Sequence, residues 1–234
     1  MTVNIADNIK YLNERIAGAA QRAGREPEAI TLVAATKTVD VPRIKEAVAA
    51  GVRVLGENYI QDAREKVGRI GDGNIAWHFI GHLQKNKIKY AVELFDMIQT
   101  IDSLELAKEI DRRSAHPVDV LMEVNIGGEV TKSGVTCEEA LELAGMMAEL
   151  RNLSLRGLMA IPPPCDDPQS SRRHFAHLRK LLEELNRGGV AKEEMTTLSM
   201  GMSNDFEIAI EEGATMVRIG SALFGKRPEK LVKV

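Results

Sequence analysis

The sequence predicts an α/β protein, a (β/α)8 TIM barrel with an extra N-terminal helix. Two observations carry this expectation. Short apolar runs alternate with amphipathic helical patterns along almost the whole chain, and there are eight such runs in 234 residues. That order and number fit a closed parallel barrel better than an open sheet. The runs are also apolar on both faces, as strands of a helix-covered parallel sheet must be.

The elements follow in order. Ile5, Ile9, Leu12, Ile16, Ala19 and Ala23 recur at steps of three and four, which gives the opening helix. The first strand is "ITLVAAT" (30–36); it stops at Thr36 and Lys37, and Asp40 and Pro42 open a helix over 42–50. "RVLGEN" (53–58) leads to a helix over 59–69, and "WHFIGH" (77–82) to one over 84–93. "DMIQTI" (96–101) is followed by 103–114, and "DVLMEVN" (119–125) by 137–150. "LRGLMAI" (155–161) precedes a helix over 169–187, with the Pro cluster "IPPPCDDPQSS" (161–171) where a βα loop belongs. "TLSMGM" (197–202) precedes 204–212, and "TMVRIG" (215–220) runs into the short segment "SALFGK". No Gly/Ser-rich or Pro-rich linker and no internal repeat divides the chain, so residues 1–234 are expected to form one domain.

Composition narrows the function. Apolar residues make up 44 %, enough for a large core, and the formal net charge is −3. No Lys/Arg block stands out, which argues against a nucleic-acid partner. Cys137 and Cys165 form no CxxC and no disulfide framework, as expected in a reducing compartment. The N-terminus lacks the basic segment and apolar core of a signal peptide. No apolar run approaches the ~20 residues of a membrane span. A cytoplasmic protein is expected.

In barrels of this kind, functional groups sit at the C-terminal ends of strands. Lys37 ends strand 1 and is therefore expected at the barrel mouth. Asn58, with Glu57 and Tyr59 beside it, ends strand 2. His78 and His82 are four apart but straddle a strand and a loop. They cannot share a helical face, so one is expected as a hydrogen-bonding wall and the other at the surface. His174 and His177 lie with Arg172, Arg173 and Arg179 on a solvated helix face.

The last two strand ends carry an anion signature. Loops after strands 7 and 8 form the recurrent phosphate site of barrels. Ser203 and Asn204 are candidate N-caps for the following helix. Gly220 allows close backbone approach, and Ser221 opens the final short helix. Arg218 lies two residues before Gly220, so alternation puts both on one face and the guanidinium inside the mouth. A buried lysine loses part of its proton affinity and can attack a carbonyl. An amine at one strand end and an anion cradle at two others fit a phosphorylated aldehyde or ketone. Two classes stand open on these grounds: a Schiff-base aldolase acting on a sugar phosphate, and a protein holding pyridoxal 5′-phosphate on a lysine.

The sequence also resembles the pyridoxal-phosphate homeostasis proteins, single-domain relatives of the alanine racemase N-terminal barrel. The resemblance covers nearly the whole chain. It rests on "VAATKTV" (33–39), "LGENYIQ" (55–61), "WHFIGHLQKNK" (77–87), "EVNIGGEVTKSG" (123–134), "GLMAIPP" (157–163) and "LSMGMSNDFEIAIEEGATMVRIGSALFG" (198–225). It implies that Lys37 carries the cofactor as an aldimine. It also implies phosphate contacts from Ser203, Gly220 and Ser221, and Arg218 at the pyridine nitrogen. Asn58 matches a family position near the cofactor, and Ser199 and Met200 are expected to line the site. Glu129 and Lys132, in the distinctive "NIGGEVTKSG", are expected to serve loop structure.

The resembled racemases use a tyrosine from an additional β-domain as a second acid/base, and no such domain is expected here. Arginine cannot readily pass a proton to the ring nitrogen, which leaves the ring a poor electron sink. The resemblance therefore implies a non-enzymatic protein that stores or delivers pyridoxal 5′-phosphate within the cell's vitamin B6 balance. Cofactor-dependent apo-enzymes would be the recipients, and a monomer is expected. The alternative is a weak amino-acid racemase or another small cofactor-dependent enzyme.

Overall fold

The computed structural model describes residues 4–71, 73–129, 131–164 and 167–225. Cys165 and Lys226 lie outside them. The opening helix is α1 (Ile5–Arg22), capped by the Asn4 side chain, which accepts from the Asp7 amide at 3.2 Å. Its buried stripe is Ile5, Ile9, Leu12, Ile16, Ala19 and Ala20; Ala23 is the C-cap instead.

The βα units then follow one another. β1 (Thr31–Ala35) leads to α2 (Val41–Ala49), β2 (Val54–Glu57) to α3 (Ile60–Ile70). β3 (Ala76–Phe79) leads to α4 (Ile88–Leu94), β4 (Met97–Ile101) to α5 (Leu104–Arg113). β5 (Val118–Glu123) leads to α6 (Cys137–Ala148), β6 (Leu153–Met159) to α7 (Arg172–Arg187). β7 (Thr197–Ser199), α8 (Phe206–Glu211), β8 (Met216–Ile219) and α9 (Ser221–Phe224) complete the described chain. α1 packs beside α2, α8 and α9.

All eight predicted strands form, and they close in the order β1 to β8. Every pairing is parallel, and β1 meets β8 with Thr31 opposite Met216 and Ala34 opposite Ile219. Two of the predicted helices open as 3₁₀ turns. The expected 84–93 begins with a 3₁₀ turn at Lys85–Lys87, and 169–187 begins with one at Pro168–Ser171.

Strand alternation separates two apolar clusters. Val33, Met97, Leu121, Met159 and Met216 fill the barrel interior with Val54. The intervening residues, such as Ala34, Leu55, Ile98, Leu158 and Val217, pack outward against the helices. Phe79 meets Phe95 edge-to-face there, with centroids 5.2 Å apart. Each such large side chain contributes about 1.5–3 kcal/mol through burial. This double covering explains why the strand runs lack a polar face. Polar side chains enter the interior at His78, Gln99, Ser199 and Arg218, all buried. The turn after β7 needs glycine. Gly201 has φ +91°, and a Cβ there would lie 2.5 Å from that of Ala209 in α8.

Candidate functional site

The C-terminal strand ends bring Lys37, Asn58, Ser203, Gly220 and Ser221 to one mouth. Lys37 is half-buried in the turn after β1. Its neighbour Thr38 has φ +65°, an uncommon conformation for a residue with a branched side chain. Thr36 precedes it with both its amide and its hydroxyl donating to the Gly56 carbonyl, at 2.8 and 3.1 Å. β8 lies alongside β1, and the position a Gly220 Cβ would take is 3.5 Å from the Ala35 Cβ. That is ordinary contact, so the chain itself does not require glycine at 220; the missing side chain leaves the space beside the β1 end open.

The two anion loops touch one another. Ser203, after β7, accepts a hydrogen bond on its hydroxyl from the Ala222 amide at 3.2 Å, in the first turn of α9. Gly220 caps α9, its carbonyl accepting from Leu223 and Phe224 at 3.1 and 2.8 Å. Ser221, the first residue of α9, is exposed. The expectation that Ser203 and Asn204 cap the helix after β7 is corrected. The N-cap of α8 is Asp205, and its carboxylate accepts from the Met202 amide at 2.7 Å. Asn204 is exposed. Ser203 thus caps the other helix, tying the β7 loop to the β8 loop.

Arg218 lies in the barrel interior, as alternation requires. One guanidinium nitrogen donates to Ser199 Oγ at 2.6 Å and the other to the Ala160 carbonyl at 2.9 Å. Ser199 donates onward to Gln99 Oε1 at 2.7 Å. The Gln99 amide group in turn meets His78 Nδ1 at 2.9 Å and Met216 Sδ at 3.0 Å. With Gln99 donating, His78 Nδ1 is an acceptor and the imidazole is neutral. Burial lowers the His78 pKa to about 4. Burial also lowers that of Arg218 to about 10, while Glu123 and Asp205 hold it up, so the guanidinium stays charged at neutral pH. His82 is exposed, 3.9 Å from Asp102, so the two histidines divide as wall and surface.

The remaining predicted residues separate. Ser199 supports Arg218 from below. Met200 alternates away from it, fully buried in the outer cluster. Asn58 places its Oδ1 in a buried position with no hydrogen-bond partner among the described residues. Such an orphaned acceptor is expensive unless a donor meets it. Tyr59 is exposed on the rim. Glu57 does not reach the mouth: its side chain turns outward beneath α3 and pairs with Lys66. Arg172 pairs with Glu211 and Glu212, tying α7 to α8 across the solvated face that carries His174 and His177.

Sequence reasoning missed Glu123. It ends β5 with the parity of Leu121, which fills the interior, and burial with the nearby Asp102 charge raises its pKa to about 7 against the pull of Arg218. A charged residue closing an apolar strand was the available signal, as it was for Lys37. Glu129 and Lys132 hold the β5 loop. Asn125 clamps the Glu129 backbone at 2.8 and 3.2 Å, Lys132 pairs with Glu129, and Lys132 also donates to the Pro162 carbonyl at 3.3 Å. Among the described residues no acidic, histidine or cysteine cluster could hold a metal, and no helix is long and apolar enough to cross a membrane.

Residues 4–228 match the family model for the alanine racemase N-terminal domain. A pyridoxal phosphate homeostasis protein of Pseudomonas aeruginosa is 46 % identical, the alignment covering 95 % of this chain and 96 % of that protein. The Escherichia coli K12 protein of the same name is 44 % identical over 96 % of this chain and 97 % of its own. Among solved structures, PipY of Synechococcus elongatus with pyridoxal phosphate bound superposes with a TM-score of 0.82 at 32 % identity, covering 94 % of this chain and all of that one (100 %). Alanine racemase of Clostridium difficile shares the fold, with a TM-score of 0.74 at 17 % identity, over 97 % of this chain and 58 % of that one. The chain belongs to the pyridoxal phosphate homeostasis protein family, built on the alanine racemase N-terminal barrel.

Proposed function

We propose that this protein binds pyridoxal 5′-phosphate at the barrel mouth and serves its intracellular supply rather than catalysis. Lys37 would hold the cofactor through its amine, as an aldimine formed with the cofactor aldehyde and loss of water. Ser203, Gly220 and Ser221 would hold its phosphate, and Arg218 would be the residue at its pyridine nitrogen. The observation that carries this reading is the meeting of Ser203 with the start of α9, beside the β1 end that bears Lys37. The residues present fit the group: an open glycine position lies in the cradle, and Asn58 offers a buried acceptor that meets no donor among the described residues.

When bound, the cofactor supplies an electrophilic aldehyde. The protein's part is to hold it and keep it quiet. The Arg218 guanidinium, locked between Ser199 and Ala160, would keep its proton and so leave the ring a poor electron sink. The whole chain acts as one monomeric, cytoplasmic domain, and cofactor-dependent apo-enzymes are the recipients. Titration of apo-protein with pyridoxal 5′-phosphate tests the reading. A near-ultraviolet to visible band of a protonated Schiff base should appear, and a recipient apo-enzyme should then gain activity on mixing. No spectral change on titration would contradict it.

A second reading, a weak amino-acid racemase, draws support from Glu123. Its raised pKa makes it a proton carrier near neutral pH, on a strand across the barrel from β1.

A further inference from the structure

We infer that the buried pair Lys66–Glu57 is a positioning device that sets the two strand ends carrying Lys37 and Asn58. The inference rests on the reading that Lys37 is the attachment point. Lys66 lies in α3, and its ammonium is 2.5 Å from Glu57 Oε1. The side chains are 9 % and 0 % exposed, so both are withdrawn from most of the solvent. The same ammonium donates to the Thr36 carbonyl at 2.9 Å. The other carboxylate oxygen, Oε2, accepts from the Asn58 amide at 2.8 Å. Thr36 immediately precedes Lys37. One ion pair therefore grips the backbone on both sides of the β1–β2 seam, each time at the peptide group that joins a site residue to the residue before it.

Stability alone does not account for this pair. Taking two charges out of water costs several kcal/mol each, and apolar replacements of similar volume are often neutral or stabilising. Burial pushes the Glu57 carboxyl upward, and the hydrogen bond and charge of Lys66 pull it back down. An apolar pair could fill the same space, but it could not hold a carbonyl with one end and an amide with the other. The turn that follows needs such a hold. Thr38 sits at φ +65°, and a strained residue of this kind persists only where its surroundings fix it. The pair reaches the site through the backbone, from the helix-facing side of the barrel, and so cannot itself touch a ligand in the mouth.

The test uses the double variant Glu57→Leu/Lys66→Met beside wild type. Three quantities are read: the thermal melt, amide hydrogen exchange in the apo-protein of Asn58 and of Val39, which donates to the Thr36 carbonyl, and affinity for pyridoxal 5′-phosphate. A positioning role predicts a retained cooperative melt, with exchange at both amides faster by about tenfold and cofactor affinity weaker by about tenfold. Unchanged exchange and affinity would overturn it. Should the double variant fail to fold, Glu57→Gln, which keeps an acceptor for the Asn58 amide but loses the charge, is read the same way. It should show a smaller change in the same direction, and no change would again overturn the inference. If wild type forms no adduct at Lys37, the attachment reading and the functional half of this inference fall together. The apo-protein exchange data then still decide whether the pair holds the strand ends.

Discussion

Arg218 and Ser199 form a 2.6 Å hydrogen bond inside the barrel, and the serine hydroxyl that accepts it donates its own hydrogen bond to Gln99 Oε1 at 2.7 Å. Serine has one donor to give, and here it is spent on protein. The orientation of the guanidinium is therefore set by β4, β6 and β7 before any ligand arrives. Ser199, expected from the sequence to line the cofactor site, has its hydroxyl engaged by Arg218 and Gln99.

Gln99 is the joint of this relay. Gln99→Leu would leave His78 Nδ1 and the Ser199 hydroxyl without their partner. Unpaired buried polar groups cost about 1–3 kcal/mol each. A loss of that order should appear in denaturant unfolding, and the Schiff-base absorption of the loaded variant should shift as Arg218 reorients. A melt and spectrum equal to wild type would show that the relay does not hold Arg218.

His78 makes a pH prediction. Its folded pKa of about 4 lies below the ordinary 6.5, so the unfolded chain binds the extra proton first as pH falls. The stability it contributes is complete above pH 6.5 and is lost as pH falls toward 4, by up to roughly 3 kcal/mol at full protonation. Glu123 acts oppositely. Its raised pKa gives stability present below the ordinary carboxylate value of 4.5 and lost as pH rises through about 7. Unfolding free energies measured from pH 4 to 8 should therefore flatten on the acid side in His78→Gln and on the neutral side in Glu123→Gln.

Glu123 also decides between the two functional readings. Chiral chromatography after long incubation with L-amino acids should show negligible racemisation by the loaded wild type. A trace rate that disappears in Glu123→Gln would mark Glu123 as its proton carrier. Turnover on the order of 1 s⁻¹ or faster would promote the racemase reading.

The barrel was legible in the sequence because its signal is local and repeated. Each strand is buried on both faces, so "DVLMEVN" and "TMVRIG" announce themselves as continuous apolar runs. Lys37, Arg218 and Gly220 were legible for the same reason, being polar or small residues where such runs stop. What escaped depends on contacts distant in sequence. Ser203 looked like a cap for the helix beside it, and its partner proved to be Ala222, in the next unit. Glu57 looked like a mouth residue until Lys66, a helix turn and a half into α3, drew it outward. The Arg218–Ser199–Gln99–His78 chain crosses four strands and leaves no periodic trace. Met200 is different. Adjacent residues of a strand face opposite ways, so its outward direction followed from placing Ser199 inward.

The central claim is that Lys37 is the attachment point. Borohydride reduction of the loaded protein followed by peptide mass mapping tests it most directly. The reduced label should lie on the peptide containing Lys37, and Lys37→Ala should take no label while retaining weaker, phosphate-anchored binding of the cofactor. Label found chiefly on Lys85, Lys87 or Lys132, with Lys37→Ala labelled as fully as wild type, would contradict it.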